Sequence, residues 1–167
     1  MAELLSKEQY AALAYQLKPR TQAFIDGEFR DAVSGKTFVT TNPATGQKLA
    51  DVAACDVQDV DLAVAAAKQA FEDGRWTNLS PGERKHILLD FARLLEENAH
   101  ELAVLESLDS GKPVRECQLT DVPETIHMIR WHAELIDKIY DNTAPVGHDA
   151  LTLVVREAIG VVGLVLP

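Results

Sequence analysis

The last nine residues constrain the fold of this chain more than any other segment of its sequence. Residues 159–167 read Ile-Gly-Val-Val-Gly-Leu-Val-Leu-Pro and carry no charged side chain. Such an uninterrupted apolar run is typical of a strand covered on both faces, as in the parallel sheets of α/β proteins. A parallel strand also needs a crossover connection and a neighbouring strand. Because no sequence follows Pro167 to provide them, we expect a piece of a larger protein, with a terminal edge strand as the alternative.

Charge and cysteine content exclude several classes of function. The chain has 16 Lys and Arg against 26 Asp and Glu, a net charge of −10, which argues against general nucleic-acid binding. Its two cysteines, Cys55 and Cys117, belong to no Cys/His cluster, so we expect neither a zinc site nor a disulfide scaffold. The N-terminus lacks the features of a signal peptide, and no stretch approaches the ~20 apolar residues that span a bilayer. We therefore predict a cytoplasmic protein with no nucleic-acid or membrane partner.

The first third of the sequence predicts one helix and two β-hairpins. Ser6, followed by Gln9 three residues later, forms a capping box that starts an amphipathic helix extending to about Leu17. Residues 24–29 place an Asp-Gly turn between two short strands, which is a strong hairpin signal. Residues 37–41 and 48–53 are predicted to be the next two strands, joined by a turn.

The middle of the sequence predicts helices. Ser80, Pro81 and Glu83 form a capping box with the favoured proline, so we expect a helix to start at Ser80. Asn98 is expected to cap the following helix, which ends at the Ser-Gly-Lys-Pro sequence of residues 110–113. Helical spacing predicts three inward faces, formed by Ala63, Val64, Ala67, Ala70 and Phe71, by Ile87, Leu88, Phe91, Leu94 and Leu95, and by Leu102, Leu105 and Leu108.

The remaining pattern predicts a last helix, a loop and a strand. The helix runs from about Asp121 to Tyr140, because apolar residues recur on one side of it. Residues 142–149, which contain Pro and Gly, are predicted to form a loop, and residues 151–157 a strand.

Four stretches, in this order, resemble the aldehyde dehydrogenase superfamily. They are residues 24–29 (Phe-Ile-Asp-Gly-Glu-Phe), 41–46 (Thr-Asn-Pro-Ala-Thr-Gly), 105–113 (Leu-Glu-Ser-Leu-Asp-Ser-Gly-Lys-Pro) and 156–167, which begins Arg-Glu-Ala-Ile-Gly. Each stretch alone is common, but together they cover nearly the whole chain in a specific order and spacing. Residues 129–134 and 136–138 further resemble the branch that oxidises γ-glutamyl-aminobutyraldehyde in polyamine breakdown.

The resemblance implies an α/β fold, namely the N-terminal part of an aldehyde dehydrogenase with β-hairpins, a helical layer and an incomplete Rossmann-like sheet. Residues 1–140 would belong to the cofactor-binding domain, residues 141–158 to an oligomerisation arm, and residues 159–167 to the first buried strand. The full-length enzyme would oxidise an aldehyde to a carboxylate with NAD or NADP, and would assemble as a homo-oligomer, either a dimer or a tetramer.

The resemblance also implies that the family's catalytic residues lie outside this sequence. The next residues in the family would be Trp-Asn-Phe-Pro, whose Asn helps to hold the oxyanion, and the catalytic Cys and general-base Glu follow further on. Neither Cys55 nor Cys117 matches the position of the family nucleophile, so we expect both to be structural or surface residues. We therefore expect no catalysis from the chain alone.

Two sets of residues are candidates for binding. The resemblance implies a monovalent cation near Thr40, Thr41 and Asp109, whose hard oxygen atoms suit such an ion. The alternative role for Asp109 is to end a helix. At the other site, Val165, Leu166 and Pro167 would line the adenosine side of the NAD(P) site at the end of a parallel strand, with an ordinary core strand as the alternative.

Two other classes of function remain open from the sequence. One is an assembly or regulatory module that docks on a full-length enzyme through the apolar strand and the arm. The other is a small nucleotide-binding protein that uses a cleft near Val165, although no glycine-rich phosphate loop is present. The sequence identifies neither the aldehyde nor the choice between NAD and NADP.

Overall fold

Three antiparallel hairpins and a layer of helices make up the computed structural model, which describes residues 3–166. In chain order the elements are α1 (Lys7–Gln16), β1 (Ala23–Ile25), β2 (Glu28–Arg30), β3 (Thr37–Thr41), β4 (Lys48–Ala53), α2 (Val57–Glu72), α3 (Pro81–Glu97), α4 (Ala99–Ser110), α5 (Val114–Glu116), a π-helical turn (Cys117–Asp121), α6 (Val122–Leu135), β5 (Asn142–Ala144) and β6 (Thr152–Val154).

The two N-terminal hairpins form where the sequence predicts them. Asp26 and Gly27 join β1 to β2 with φ angles of 54° and 79°, as a tight turn with two left-handed residues requires. In the second hairpin β3 pairs with β4, and the register shifts between Thr40 and Thr41. This bulge changes the direction of the strand just where the candidate cation site is expected.

Side-chain caps fix three helix starts. Ser6 with Gln9 begins α1, and Ser80 with Glu83 begins α3, so both predicted capping boxes are confirmed. Asp56 and Asp59 form a third capping box at α2. Asn98 is the N-cap residue of α4, as predicted, but its side-chain amide donates to the carbonyl of Leu94 at 2.8 Å and makes no capping bond to α4.

The core lies where α3, α4, α6 and the π-helical turn meet. Small side chains occupy its centre: Ala92, Ala103 and Cys117 are all 0% exposed. Val122 and Ile126 complete the buried group, and Leu95, Leu102 and Ile129 pack against it. Small residues at these positions allow the helices to approach closely, which fixes the position of α4.

The predicted inward face of α3 is confirmed at Leu88 and Leu95, whereas its other members and the predicted face of α2 are largely exposed. On α3, Ile87, Phe91 and Leu94 are about half exposed, whereas Ala92 is fully buried with Leu88 and Leu95 on the same side. The predicted stripe of α2 also remains largely exposed, and among the described residues α2 packs mainly against β1. Periodicity identifies an apolar face but does not identify which neighbour covers it, so two adjacent apolar faces are easily confused.

The structure also corrects the region after Gly111. The helical segment begins at Val114 rather than Asp121, and it contains the π-helical turn at Cys117–Asp121. Regular helix ends at Leu135, and Tyr140 is exposed rather than inward. The predicted loop at residues 142–149 contains β5, which pairs with β6 within the predicted strand region. A three-residue strand is too short to give a recognisable alternation.

The apolar C-terminal segment has no partner strand among residues 3–166. Residues 159–166 have no strand assignment there, and Val165 is 94% exposed. A parallel strand takes its hydrogen bonds from neighbouring segments, and every strand pair in the described part of the chain is antiparallel. None of the described helices combines the length and the hydropathy required to cross a membrane.

Candidate functional site

Thr40 and Asp109 meet at the junction of the second hairpin and α4. The Thr40 hydroxyl donates a hydrogen bond to Oδ1 of Asp109 over 3.0 Å. Thr40 lies at the bulge near the end of β3, and Asp109 lies in the last turn of α4. The contact therefore places a hydroxyl and a carboxylate, both of which are hard oxygen donors, side by side.

The turn after β3 holds this junction in place. Oδ1 of Asn42 accepts a hydrogen bond from the backbone N–H of Ala44 at 2.9 Å, and the carbonyl of Asn42 accepts one from Gly46 at 2.7 Å. This Asx turn presents the Pro43 ring to Gly111, the residue that ends α4. Two of the stretches that carried the family resemblance are thus in direct contact.

A cleft of about 470 Å³ lies beside the Thr40–Asp109 contact. Residues of α1, the second hairpin and α4 line it, including the apolar Leu17, Leu49 and Leu105. Its ionisable lining residues are Arg20, Lys48, Glu106 and Asp109. The cleft therefore offers an apolar surface with polar groups at one side, as small-molecule and ion sites commonly do.

The other sequence-predicted site residues are not brought to this junction. The Thr41 side chain is exposed and makes no hydrogen bond to Asp109 within the described residues. Val165 and Leu166 are exposed apolar side chains in the C-terminal segment. Pro167 lies outside the described residues. Thr40 and Asp109 are therefore the only members of the predicted set that contact each other in the described part of the chain.

A second cluster, formed by two carboxylates and a thiol, was not predicted from the sequence. Glu106, Cys117 and Asp121 place one donor atom each within 4.8 Å of one another. The ammonium group of Lys112 pairs with the Asp121 carboxylate. Glu106 lies on α4, whereas Cys117 and Asp121 are the two ends of the π-helical turn, and the chain reversal at Gly111 brings the two elements together. No single-helix pattern signals this arrangement.

Burial and like charge perturb the groups of this cluster. Burial raises the pKa of the Glu106 carboxyl, and the nearby Asp121 carboxylate raises it further. Burial also raises the pKa of the Cys117 thiol, with Glu106 and Asp121 adding to the effect. The hydrogen bond to Asp121 raises the pKa of Lys112. The cluster thus favours a neutral thiol and a charged ammonium group.

Neither cysteine has the environment of an activated nucleophile. Cys117 is fully buried, and Cys55 is exposed. Partial desolvation by neighbouring atoms raises the pKa of the Cys55 thiol, and the carboxylates of Asp59 and Asp56 raise it further. A raised pKa lowers the fraction of reactive thiolate at neutral pH. That both cysteines have structural or surface roles stays a prediction.

Comparison with known proteins matches residues 29–167 to the sequence model of the aldehyde dehydrogenase family. Aminoacetaldehyde dehydrogenase from Pseudomonas aeruginosa is 68% identical over all 167 residues, which correspond to 34% of its own length. The chain spans about a third of the length of the curated relatives it matches.

Solved structures support the same similarity. Indole-3-acetaldehyde dehydrogenase AldA of P. syringae, solved in complex with NAD+, has a TM-score of 0.86 and 43% identity, and the match covers 90% of this chain and 30% of that one. The γ-glutamyl-γ-aminobutyraldehyde dehydrogenase from Burkholderia cenocepacia has a TM-score of 0.84 and 43% identity, covering 86% and 29% of the two chains. At this level of identity the α/β fold class and the branch resemblance are both confirmed.

Proposed function

The chain belongs to the aldehyde dehydrogenase family, and on this basis we propose that it forms the N-terminal part of an enzyme that oxidises an aldehyde to a carboxylate with NAD+ or NADP+. The observation that carries the proposal is the 68% identity, along the whole chain, to an aminoacetaldehyde dehydrogenase. The substrate class that this relative favours is an aldehyde with an amino group. Within that enzyme the chain supplies structural framework rather than reacting groups.

The chain alone is proposed to be inactive. Aldehyde oxidation of this kind needs a thiolate to attack the aldehyde, hydrogen-bond donors to stabilise the oxyanion, and a base to activate water. Both thiols of this chain have a raised pKa, and the neighbouring carboxylates disfavour the thiolate form through their negative charge. The nicotinamide cofactor accepts the hydride when it is bound.

We propose that Val165, Leu166 and Pro167 line the adenosine side of the cofactor site in the whole enzyme. The exposed apolar side chains of Val165 and Leu166 suit the face of an adenine ring. The sequence contains no glycine-rich phosphate loop, so we expect the chain alone to bind NAD+ weakly or not at all. Calorimetry with NAD+ measures this directly.

We propose that Asp109 and Thr40, with Thr41, hold a monovalent cation. The support is the 3.0 Å hydrogen bond from Thr40 to Asp109, which places a carboxylate and a hydroxyl at one point. Thr41 is exposed in the described structure, so its participation needs a small change at the bulge. The alternative, that Asp109 only ends α4, predicts no effect of the ion on stability.

The domain organisation and the assembly of the chain are also proposals. We assign residues 1–140 to the cofactor-binding domain, residues 141–158 to an oligomerisation arm, and residues 159–167 to the first strand of its parallel sheet. The exposed Leu153 and Val155 in and beside the two-stranded β5–β6 hairpin support a contact with a second copy, as a dimer or a tetramer. Two free cysteines agree with the cytoplasmic location we propose.

A chimera tests the proposed function. We would replace the matching N-terminal third of the P. aeruginosa aminoacetaldehyde dehydrogenase with this chain and follow NADH formation with an aminoaldehyde. The proposal predicts that the chimera assembles like its parent and reduces NAD+, whereas the 167-residue chain by itself does not. A chimera that assembles normally but reduces no NAD+ contradicts the proposal, as does turnover by the chain alone.

A further inference from the structure

A second cleft, of about 440 Å³, lies at the opposite end of α4 from Asp109. It is formed between the α3–α4 junction, the π-helical turn and α6. The residues that matter for its chemistry are Glu96, Ala99, Gln118, Val122, Ile126 and Arg130. It shares no lining residue with the cleft beside Thr40 and Asp109.

Gln118 is the unusual residue of this second cleft. Its side chain is only 2% exposed, yet its Oε1 atom is buried without a hydrogen-bond partner. A buried polar atom that lacks a partner costs more free energy than a hydrogen bond returns. Gln118 lines the cleft, and because the torsion of a terminal amide is soft, rotation of the amide can bring this oxygen to the cleft. The missing partner is therefore a hydrogen-bond donor.

The charges around the second cleft favour a cation. Glu96 and Glu3 provide two carboxylates, whereas Arg130 provides the one guanidinium group among the lining residues. Nη2 of Arg130 lies 2.5 Å from Oε2 of Glu96, so this ion pair occupies the guanidinium group and one carboxylate oxygen, whereas Oε1 of Glu96 accepts no hydrogen bond among the described residues. His127 is a further ionisable residue of the lining. On the α1 side, Nδ1 of His100 lies 3.2 Å from the Tyr10 hydroxyl and is engaged there.

The floor of the second cleft is apolar. Val122 and Ile126 are both 7% exposed, and Ala99 lies beside them. A ligand that fits the cleft must therefore carry a positively charged hydrogen-bond donor and a short apolar chain. The donor would face the Gln118 amide oxygen and a carboxylate, and the apolar chain would cover Val122, Ile126 and Ala99. A bare metal ion would leave the apolar floor uncovered, and an anion would face Glu96 and Glu3.

We infer that this cleft binds a short-chain primary amine in its protonated form. The ammonium group donates hydrogen bonds to Oε1 of Gln118 and to the carboxylate of Glu96, and the alkyl chain packs on Val122 and Ile126. The site is separate from the reaction proposed above, and its test requires no turnover. It also stands if the chain has no role in aldehyde oxidation.

The test is calorimetric titration of the 167-residue chain with propylammonium chloride. Tetramethylammonium chloride, at equal ionic strength, is the matched probe, since it carries the same charge but has no N–H donor. Gln118→Met keeps the length of the side chain and removes the acceptor, and Glu96→Gln removes the charge. Glu97→Gln is the control, because Glu97 is the next residue on α3 but pairs with Arg93 and does not line the cleft.

We expect saturable binding of propylammonium to the natural sequence, with a shift of the Gln118 side-chain amide signals in NMR spectra. Gln118→Met and Glu96→Gln should each weaken binding on the order of tenfold, and Glu97→Gln should not. Removing an unpartnered buried amide should leave the thermal stability of Gln118→Met unchanged or raised, so loss of binding there is not loss of fold. Equal binding of tetramethylammonium, equal binding by Gln118→Met, or no saturable binding would each overturn the inference.

Discussion

Gly111 and Pro43 are in such close contact that no side chain fits between them. A Cβ atom built on Gly111 would lie 2.8 Å from Cγ of the Pro43 ring. Gly111 also has a φ of 76°, in the left-handed region that glycine adopts at helix ends. The residue therefore ends α4 and, at the same time, admits the Asn-Pro turn that follows β3.

The first prediction separates the two roles of this glycine. Gly111→Ala should lower the free energy of unfolding by about 1–2 kcal/mol for the left-handed φ, and by more for the clash with Pro43. Gly46→Ala is the matched control, since Gly46 has a φ of 71° and no atom within 4 Å of its built Cβ. Urea denaturation measures both variants. Equal losses of unfolding free energy in the two variants would show that the contact with Pro43 does not disfavour a side chain at residue 111.

The second prediction concerns the proposed cation. Sodium or potassium chloride should raise the melting temperature of the chain more than tetramethylammonium chloride does at equal ionic strength, because only the folded state offers the site. Each kcal/mol of binding linkage corresponds to about 2–4 °C for a domain of this size. Asp109→Asn and Thr40→Val should abolish the difference, and Thr41→Val tests whether Thr41 takes part. Identical melting curves in the three salts would contradict the cation site.

The third prediction concerns Asp59, which joins α2 to the loop before β3. Its two carboxylate oxygens accept hydrogen bonds from the backbone N–H groups of Asp56 and Val33, both at 2.9 Å. These bonds lower its pKa from the ordinary value of 3.8, so its stabilising contribution is present above that pH and is lost as the pH falls through the folded-state pKa. Asp59→Asn should therefore destabilise the chain at pH 7, and the difference from the natural sequence should close in acid.

Asp61→Asn is the control for this prediction. Asp61 is an exposed residue on the same helix, and its replacement should change stability little at any pH. Denaturation at a series of pH values gives both comparisons. A stability difference for Asp59→Asn that stays constant between pH 7 and strong acid would show that the charge of Asp59 is not responsible.

The fourth prediction concerns Glu106, whose contribution to stability should change with pH in the opposite direction. The pKa of Glu106 is raised above its ordinary value of 4.5, chiefly by burial and then by Asp121. Its ionised form is therefore disfavoured in the folded state, and stability is lost as the pH rises through the folded-state pKa. Glu106→Gln should remove this cost and gain stability relative to the natural sequence between about pH 4.5 and pH 7. Glu116→Gln, at an exposed neighbour of Cys117, should show no such trend.

The fifth prediction tests which face of α3 is buried. Ala92→Leu should destabilise the chain by about 1–3 kcal/mol, because the added carbons have no space between α3 and α6. Phe91→Gln, one residue earlier on the half-exposed side, should change the stability of the chain far less. The two variants are compared by chemical denaturation. The reverse order of effects would mean that the side of α3 that carries Phe91 is the buried one.

Features with a local cause could be predicted from the sequence. The capping boxes at Ser6 and Ser80 and the Asp26–Gly27 turn each depend on residues within a few positions of one another. The stop at Gly111 is equally local, because only a left-handed residue closes the helix in this way. All of these features occur in the structure.

Features that depend on distant partners could not be predicted. The burial of Ala92 rather than Phe91 is determined by the approach of α6, and the meeting of Glu106 with Cys117 depends on two intervening turns. The π-helical turn at Cys117–Asp121 has no residue signal that distinguishes it from ordinary helix. At the candidate site, Thr40 and Asp109 were found through the family resemblance, since a contact over 69 positions leaves no local pattern.

The three fully buried small residues of the core, Ala92, Ala103 and Cys117, restrict how the helices can move relative to one another. Where two helices are separated by alanine-sized side chains, neither one can rotate or slide without backbone collision. Ala103 places α4 under this restriction, and Asp109 lies less than two turns further along the same helix. The position of the Asp109 carboxylate therefore depends on how closely α4 packs against its neighbours at Ala103. A larger side chain at Ala103 would displace Asp109 without contacting it.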